Sequence, residues 1–174
     1  GDINSMAKYA AILLSDDDNE TSKKEALQYL KLASDQGDIK SMNDYALMHF
    51  IGEGVEIDKK ETAKYFKLAA DQGEIHSMIL YSLMLHFGDY VEQNDEESLK
   101  YYDSALKLTN EETVINYINL YLITIENIGK KQAYKCKQLA DQGDIESMCI
   151  HGINLFNGNG VEQDLNEAKK YLKL

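Results

Sequence analysis

Arginine is missing from this chain of 174 residues, and so are proline and tryptophan. All 18 basic residues are therefore lysines, set against 30 acidic residues, for a net charge of −12. An excess of acid on that scale repels phosphate backbones and anionic lipid, and the best bidentate phosphate ligand is gone. Nucleic acid and membrane surfaces are poor partners on those grounds. Long apolar runs are missing too. The longest, VINYINLYLITI from Val114 to Ile125, is interrupted by Asn116 and Asn119. It falls short of the roughly 18 residues a bilayer span takes, so no direct membrane insertion is expected. Cysteine is scarce: Cys136 and Cys149 make no disulfide framework, which favours a reduced, intracellular (cytoplasmic) setting. No signal peptide is visible, and a start at Gly1 without methionine points to a piece of a longer protein.

What the chain has in abundance is self-similarity. LASDQGDIKSM, LAADQGEIHSM and LADQGDIESM recur along it, and a truncated GDINSM opens it. The anchoring glycines are Gly1, Gly37, Gly73 and Gly143, separated by 36, 36 and 70 residues. The missing anchor falls near Thr109, where TNEETVINY follows the frame. Five units result, 1–36, 37–72, 73–108, 109–142 and 143–174, the fourth two residues short in its central turn.

The columns of this alignment give the physics. Five residues after the anchor stand Met6, Met42, Met78, Val114 and Met148; eight after it stand Tyr9, Tyr45, Tyr81, Tyr117 and His151. Spacings of three and four between such columns make an apolar helical stripe. A second stripe, with Thr62, Tyr65, Phe66 and Ala69 in unit two, fills the later half of each unit. Each unit thus reads as two amphipathic helices, about ten in all, and the units must stack because neither helix buries its face alone. The glycine after each second helix suits a left-handed stop, and the acid that follows suits the next helix N-terminus. GEGVEID from Gly52 and GNGVEQD from Gly158 permit a tight reversal, with Asp58 and Asp164 in N-cap range of the second helix.

Catalytic and metal chemistry is sparse. His49 and His86 lie one column apart, and His76 and His86 are ten residues apart, a poor pitch for metal ligands. The four histidines read as groove substitutions or satisfied, partly buried imidazoles. Cys136 and Cys149 read as packing thiols. SDDDNE, Ser15 to Glu20, lacks EF-hand spacing and reads as a solvated acidic turn. No cofactor, metal site or catalytic residue is expected, and the chain is read as not an enzyme.

The frame from Ser41 to Gly73, SMNDYALMHFIGEGVEIDKKETAKYFKLAADQG, resembles a Sel1-like repeat, a relative of the tetratricopeptide repeat. The resemblance covers the whole chain, with departures: Ala10, Ala46, Ser82 and Ile118 stand where the family has glycine, kept only at Gly152. It implies an all-α fold, an α-solenoid (a right-handed superhelix) of five stacked antiparallel helix-turn-helix repeats forming one domain. Ala70 and Met78 hold the positions that cysteine-rich relatives bridge, so a disulfide-stapled version is not expected. By analogy with tetratricopeptide relatives, the first helix of each pair lines a concave, peptide-binding wall. That places Asn43, Leu47 and Phe50, then His76, Ile79, Leu83, His86 and Phe87, then Ile115 and Asn119, on the binding wall, the alternative being that Leu47, Leu83 and Phe50 pack between units. The resemblance implies an adaptor or scaffold for a protein or peptide partner. The alternatives are a structural spacer in a larger multidomain protein or a hydrolase like some relatives. Both ends look mid-array, which makes end-to-end self-association through uncapped ends a further expectation.

Overall fold

The computed structural model describes residues 2–15 and 19–172, and the regular elements among them are all helices. In chain order these are α1 (Ile3–Leu14), α2 (Glu20–Asp35), α3 (Ile39–Ile51), α4 (Lys59–Asp71), α5 (Ile75–Phe87), α6 (Asp95–Leu108), α7 (Glu111–Asp141), α8 (Ile145–Asn157) and α9 (Leu165–Tyr171). Asp16–Asp18, the heart of the acidic turn, lie outside the described residues, as do Gly1, Lys173 and Leu174. Two compact units divide the chain, Gly1–Asn119 and Leu120–Leu174.

The joint between hairpins is built from the recurring words of the sequence. Gly37 takes φ +96°, a left-handed conformation that any side chain would strain. Its N–H donates to the Ser34 carbonyl at 3.0 Å and the Asp38 N–H to the Ala33 carbonyl at 3.0 Å, a Schellman stop for α2. Asp38 then caps α3, its carboxylate accepting from the Ser41 N–H at 2.8 Å. Glu74–Ser77 and Asp144–Ser147 repeat that cap at α5 and α8. The same chemistry opens the second helices, where Asp58 and Asp164 each accept from two backbone N–H groups.

In the unit Gly1–Asn119, α1 to α6 form three hairpins, and each helix packs on the next in sequence. Phe66, Ile79 and Met84 are fully buried there, with Phe50 and Leu30 nearly so, each contributing about 1.5–3 kcal/mol of burial. The tyrosine columns close each hairpin edge to face: Tyr9 on Tyr29 at 4.8 Å, Tyr45 on Tyr65 at 4.7 Å, Tyr81 on Tyr101 at 5.1 Å. The Tyr45 hydroxyl donates to Glu61 at 3.4 Å; burial first, then the Glu61 charge, pushes its pKa up to about 12.

A polar ladder joins successive second helices. Tyr65 donates to Asp35 at 2.8 Å, while Lys31 of the same turn as Asp35 donates to it at 2.6 Å. One unit on, Tyr101 donates to Asp71 at 2.5 Å and Lys67 donates to Asp71 at 2.9 Å. The turn Gly52–Gly54 packs against this ladder's helix: a methyl at Gly54 would lie 2.6 Å from the Lys23 Cβ, so the close approach requires glycine.

In the unit Leu120–Leu174, α8 packs on α9, and Tyr121, Ala133, His151, Leu155 and Ala168 are buried. His151 replaces the tyrosine of the hairpin pair and meets Tyr171 at 4.8 Å. The ladder recurs, with Tyr171 donating to Asp141 at 3.2 Å and Lys137 at 3.0 Å. Gly160 lies against the Gly129 backbone so closely that a methyl there would be 2.3 Å from the Gly129 carbonyl oxygen.

One expectation fails here. The stretch 109–142 does not form a hairpin; α7 runs without a break from Glu111 to Asp141, so the described residues hold nine helices where ten were expected. The physical reason lies at Thr124–Lys130. The turns after α3, α5 and α8 each reverse through a glycine at positive φ, Gly52 at +76°, Gly88 at +68° and Gly158 at +75°. This stretch has the single Gly129, at no such φ, and Glu126 pairs with Lys130 at 2.5 Å along the helix surface.

Candidate binding surface

The columns assigned to the wall do not share one environment. Phe50, Ile79, Leu83 and Asn43 are buried between helices, at 2%, 0%, 8% and 9% exposure. Asn43 is a structural link: its Oδ1 accepts from the Ser77 hydroxyl of α5 at 3.0 Å, while its Nδ2 donates to Asp44 at 3.1 Å. Leu47 and His76 are half-buried, and His76 is engaged, stacked on Tyr117 with a hydrogen bond between Nε2 and the phenol. His86, Phe87, Ile115 and Asn119 are exposed. Of these, the structure brings His86 and Phe87 together, ring centroids 5.0 Å apart, and His86 Nδ1 lies 3.0 Å from Asp95.

Three polar groups break the expectation for their column. His49 and His151 are buried, and neither has a hydrogen-bond partner at either ring nitrogen among the described residues. They are packed against Tyr45 and Tyr171 rather than satisfied. Cys149 is exposed rather than packed, while Cys136 is half-buried, and both thiols are free. Among the described residues no three His, Cys, Asp or Glu side chains gather as a metal site, and no helix is long and apolar enough to cross a membrane.

A recess on a first-helix face lies between α1 and α3. Ala11 and Leu14 form one side, Leu47 and Met48 the other, and Leu30 of α2 lines it too, around an open volume of about 350 Å³. Asp44 looks into it. Burial pushes the Asp44 carboxyl up from the ordinary carboxylate range, opposed by the Asn43 amide and the Lys40 charge. No cation lies within ion-pair distance of Asp44 among the described residues. Glu53 stands at the lip, already paired with Lys23 at 3.0 Å. The sequence columns passed over Asp44. Its signal was there: the same column holds Lys8, Leu80, Asn116 and Ile150, so Asp44 is its one acid.

Comparison with known proteins agrees with the helical-repeat fold. No curated protein matches the chain. A Sel1 repeat protein from Oxalobacter formigenes, known from a crystal structure, shares 20% identity over 99% of this chain and 71% of its own, with a TM-score of 0.59. The protective antigen c5321 of uropathogenic Escherichia coli, which displays an SLR fold, shares 22% identity over 86% of this chain and 32% of its own, with a TM-score of 0.50. Both likenesses concern the fold. The Sel1 repeat itself matches residues 4–38, 39–74, 75–110 and 145–174, leaving out the whole of the helix α7 that does not fold back. With four repeats matched over most of its length and hairpins of the same build, the chain belongs to the Sel1 repeat family.

Proposed function

We propose that the chain is a protein-interaction scaffold that holds a partner segment against the first-helix columns of its repeats. Sel1 repeats are commonly protein-interaction scaffolds, and the fold is of the scaffold type. The observation that carries the reading to this chain is the exposure of large apolar side chains on first-helix columns. Phe87 is 48% exposed and Ile115 53%, and the half-buried Leu47 borders the recess beside Asp44. Buried Phe50, Ile79, Leu83 and Asn43 support that face from behind rather than touching a ligand. The role is binding, not turnover.

The test is photo-crosslinking from positions 87 and 115, followed by identification of the captured partner. Phe87→Lys and Ile115→Lys are expected to weaken that partner's binding at least about tenfold, the cost of truncating an interface anchor. Leu99→Lys, on the exposed face of a second helix at 61% exposure, is expected to leave it unchanged. Loss of binding in all three variants, or in none, contradicts the reading.

A further inference from the structure

We propose that the recess between α1 and α3 is a lysine pocket, in which a lysine side chain from a partner segment lays its alkyl stem along Leu14, Leu47 and Met48 and sets its ammonium on Asp44. The proposal rests on the scaffold reading and gives it a chemical specificity. Three features of the recess select this occupant.

The walls are aliphatic while a carboxylate looks in, a combination that a purely apolar side chain leaves unsatisfied. A long stem with a charged end matches both parts at once. The carboxylate is half-buried and has no cation within ion-pair distance among the described residues, with Lys40 acting on it only from further off, so a partner's ammonium can seat directly on it. The other acid of the recess, Glu53, is already neutralised by Lys23 at 3.0 Å, which leaves Asp44 as the seat.

Asn43 decides between lysine and arginine. Its amide occupies Oδ1 of Asp44 at 3.1 Å and is itself fixed by the Ser77 hydroxyl, so the carboxylate is held in one orientation. A guanidinium fork seeks both oxygens of a carboxylate, whereas an ammonium is satisfied by one. The net charge of −12 agrees in sign, drawing a cationic segment toward the surface before it docks.

The experiment titrates Nα-acetyl-lysine N-methylamide into the 15N-labelled 174-residue chain at millimolar concentrations, with the arginine and norleucine analogues in parallel. The lysine compound is expected to give saturable shifts confined to amides around Ala11, Leu14, Leu47 and Met48. The arginine analogue is expected to bind more weakly and the norleucine analogue not to saturate. Asp44→Asn is expected to weaken lysine binding about tenfold, the worth of a charge-assisted hydrogen bond. Leu47→Ala is expected to weaken it with the carboxylate intact, and unchanged melting curves confirm that both variants fold. Absence of saturable binding, equal binding of norleucine, tighter binding of arginine, shifts spread over the acidic surface, or an unaffected Asp44→Asn variant each overturn the proposal.

The two readings fail separately. If Asp44→Asn keeps the crosslinked partner while Phe87→Lys releases it, the lysine pocket is wrong and the scaffold stands. If the lysine compound binds as expected and no partner is captured, the pocket stands and the scaffold reading is wrong.

Discussion

The column eight residues past each anchor shows how much one substitution changes. Tyr9 and Tyr45 there each pair their ring with a tyrosine of the second helix and donate a hydroxyl to a glutamate sixteen residues on. His151 keeps the ring contact, with Tyr171, but its nitrogens are buried without partners. Burial, with Lys137 adding to it, holds the imidazole below its ordinary value, and Asp141 and Glu167 oppose this. The folded chain therefore binds that proton less readily than the unfolded one. The stability His151 contributes is fully present above the unfolded pKa, about 6.5, and is lost as pH falls through that value toward the depressed folded one. His151→Tyr restores the column's residue opposite Glu167, which occupies the column of Glu25 and Glu61. Denaturant unfolding from about pH 7 to about pH 5 should show wild type losing stability relative to this variant. Parallel profiles would mean that His151 carries no proton linkage. The column itself was legible in the sequence, but the loss of a hydrogen-bond partner was not. Whether a histidine in a tyrosine column is satisfied depends on where its ring nitrogens point, and periodicity is silent on that.

Between helices, the ladder of tyrosine, aspartate and lysine sets how one second helix meets the next. At Asp71, burial acts to raise the carboxyl pKa, yet the Tyr101 hydroxyl and the Lys67 ammonium outweigh it and hold the group below its ordinary value. Lys67 and Asp71 are more than a third exposed, so their ion pair by itself contributes little. The tyrosine hydrogen bond is the larger part. Tyr101→Phe should cost about 1 kcal/mol in chemical unfolding, and the same substitution on an Asp71→Asn background should cost markedly less. Equal costs on the two backgrounds would show that the hydroxyl and the carboxylate act independently. The ladder could have been read from the recurrence of Lys31, Asp35 and Tyr65 as Lys67, Asp71 and Tyr101. The next unit exchanges the charges, with Asp103 and Lys107, and unit four puts Lys135 where the tyrosine stood. That lapse of pattern precedes and overlaps α7, the one stretch where the expected hairpin is absent. Helix type followed from apolar spacing there as elsewhere. The reversal did not: the glycines at positive φ that follow α3, α5 and α8 have no counterpart in this stretch.

At the scale of the whole chain, the repeat period and its punctuation carried the fold class, since a stop glycine, a capping acid and an apolar stripe each have one structural meaning at these spacings. They did not separate a binding wall from a packing seam. Columns three and four apart serve both purposes, so Phe50 and Ile79 proved buried while Phe87 and Ile115 proved exposed. Burial is also uneven along the first unit. In α5 every residue from Ser77 to Leu85 is buried, whereas α1 buries only Met6 and Ala10. The helices of Gly1–Asn119 pack in sequence order, each on the next, so a hairpin's stability is its own plus that of its seams with its neighbours. Opening α1 breaks one seam and exposes little apolar surface. Opening α5 breaks the seams with both α4 and α6 and exposes the densest part of the core. Native-state hydrogen exchange on the 174-residue chain should therefore find the slowest amides in α3 to α5 and faster exchange in α1, through openings smaller than global unfolding. Denaturant should raise exchange in α1 only weakly and in α5 steeply, because the two openings expose different areas. Uniform protection with one common denaturant slope would instead make the three hairpins a single cooperative block, with the seams between repeats as strong as the contacts inside them.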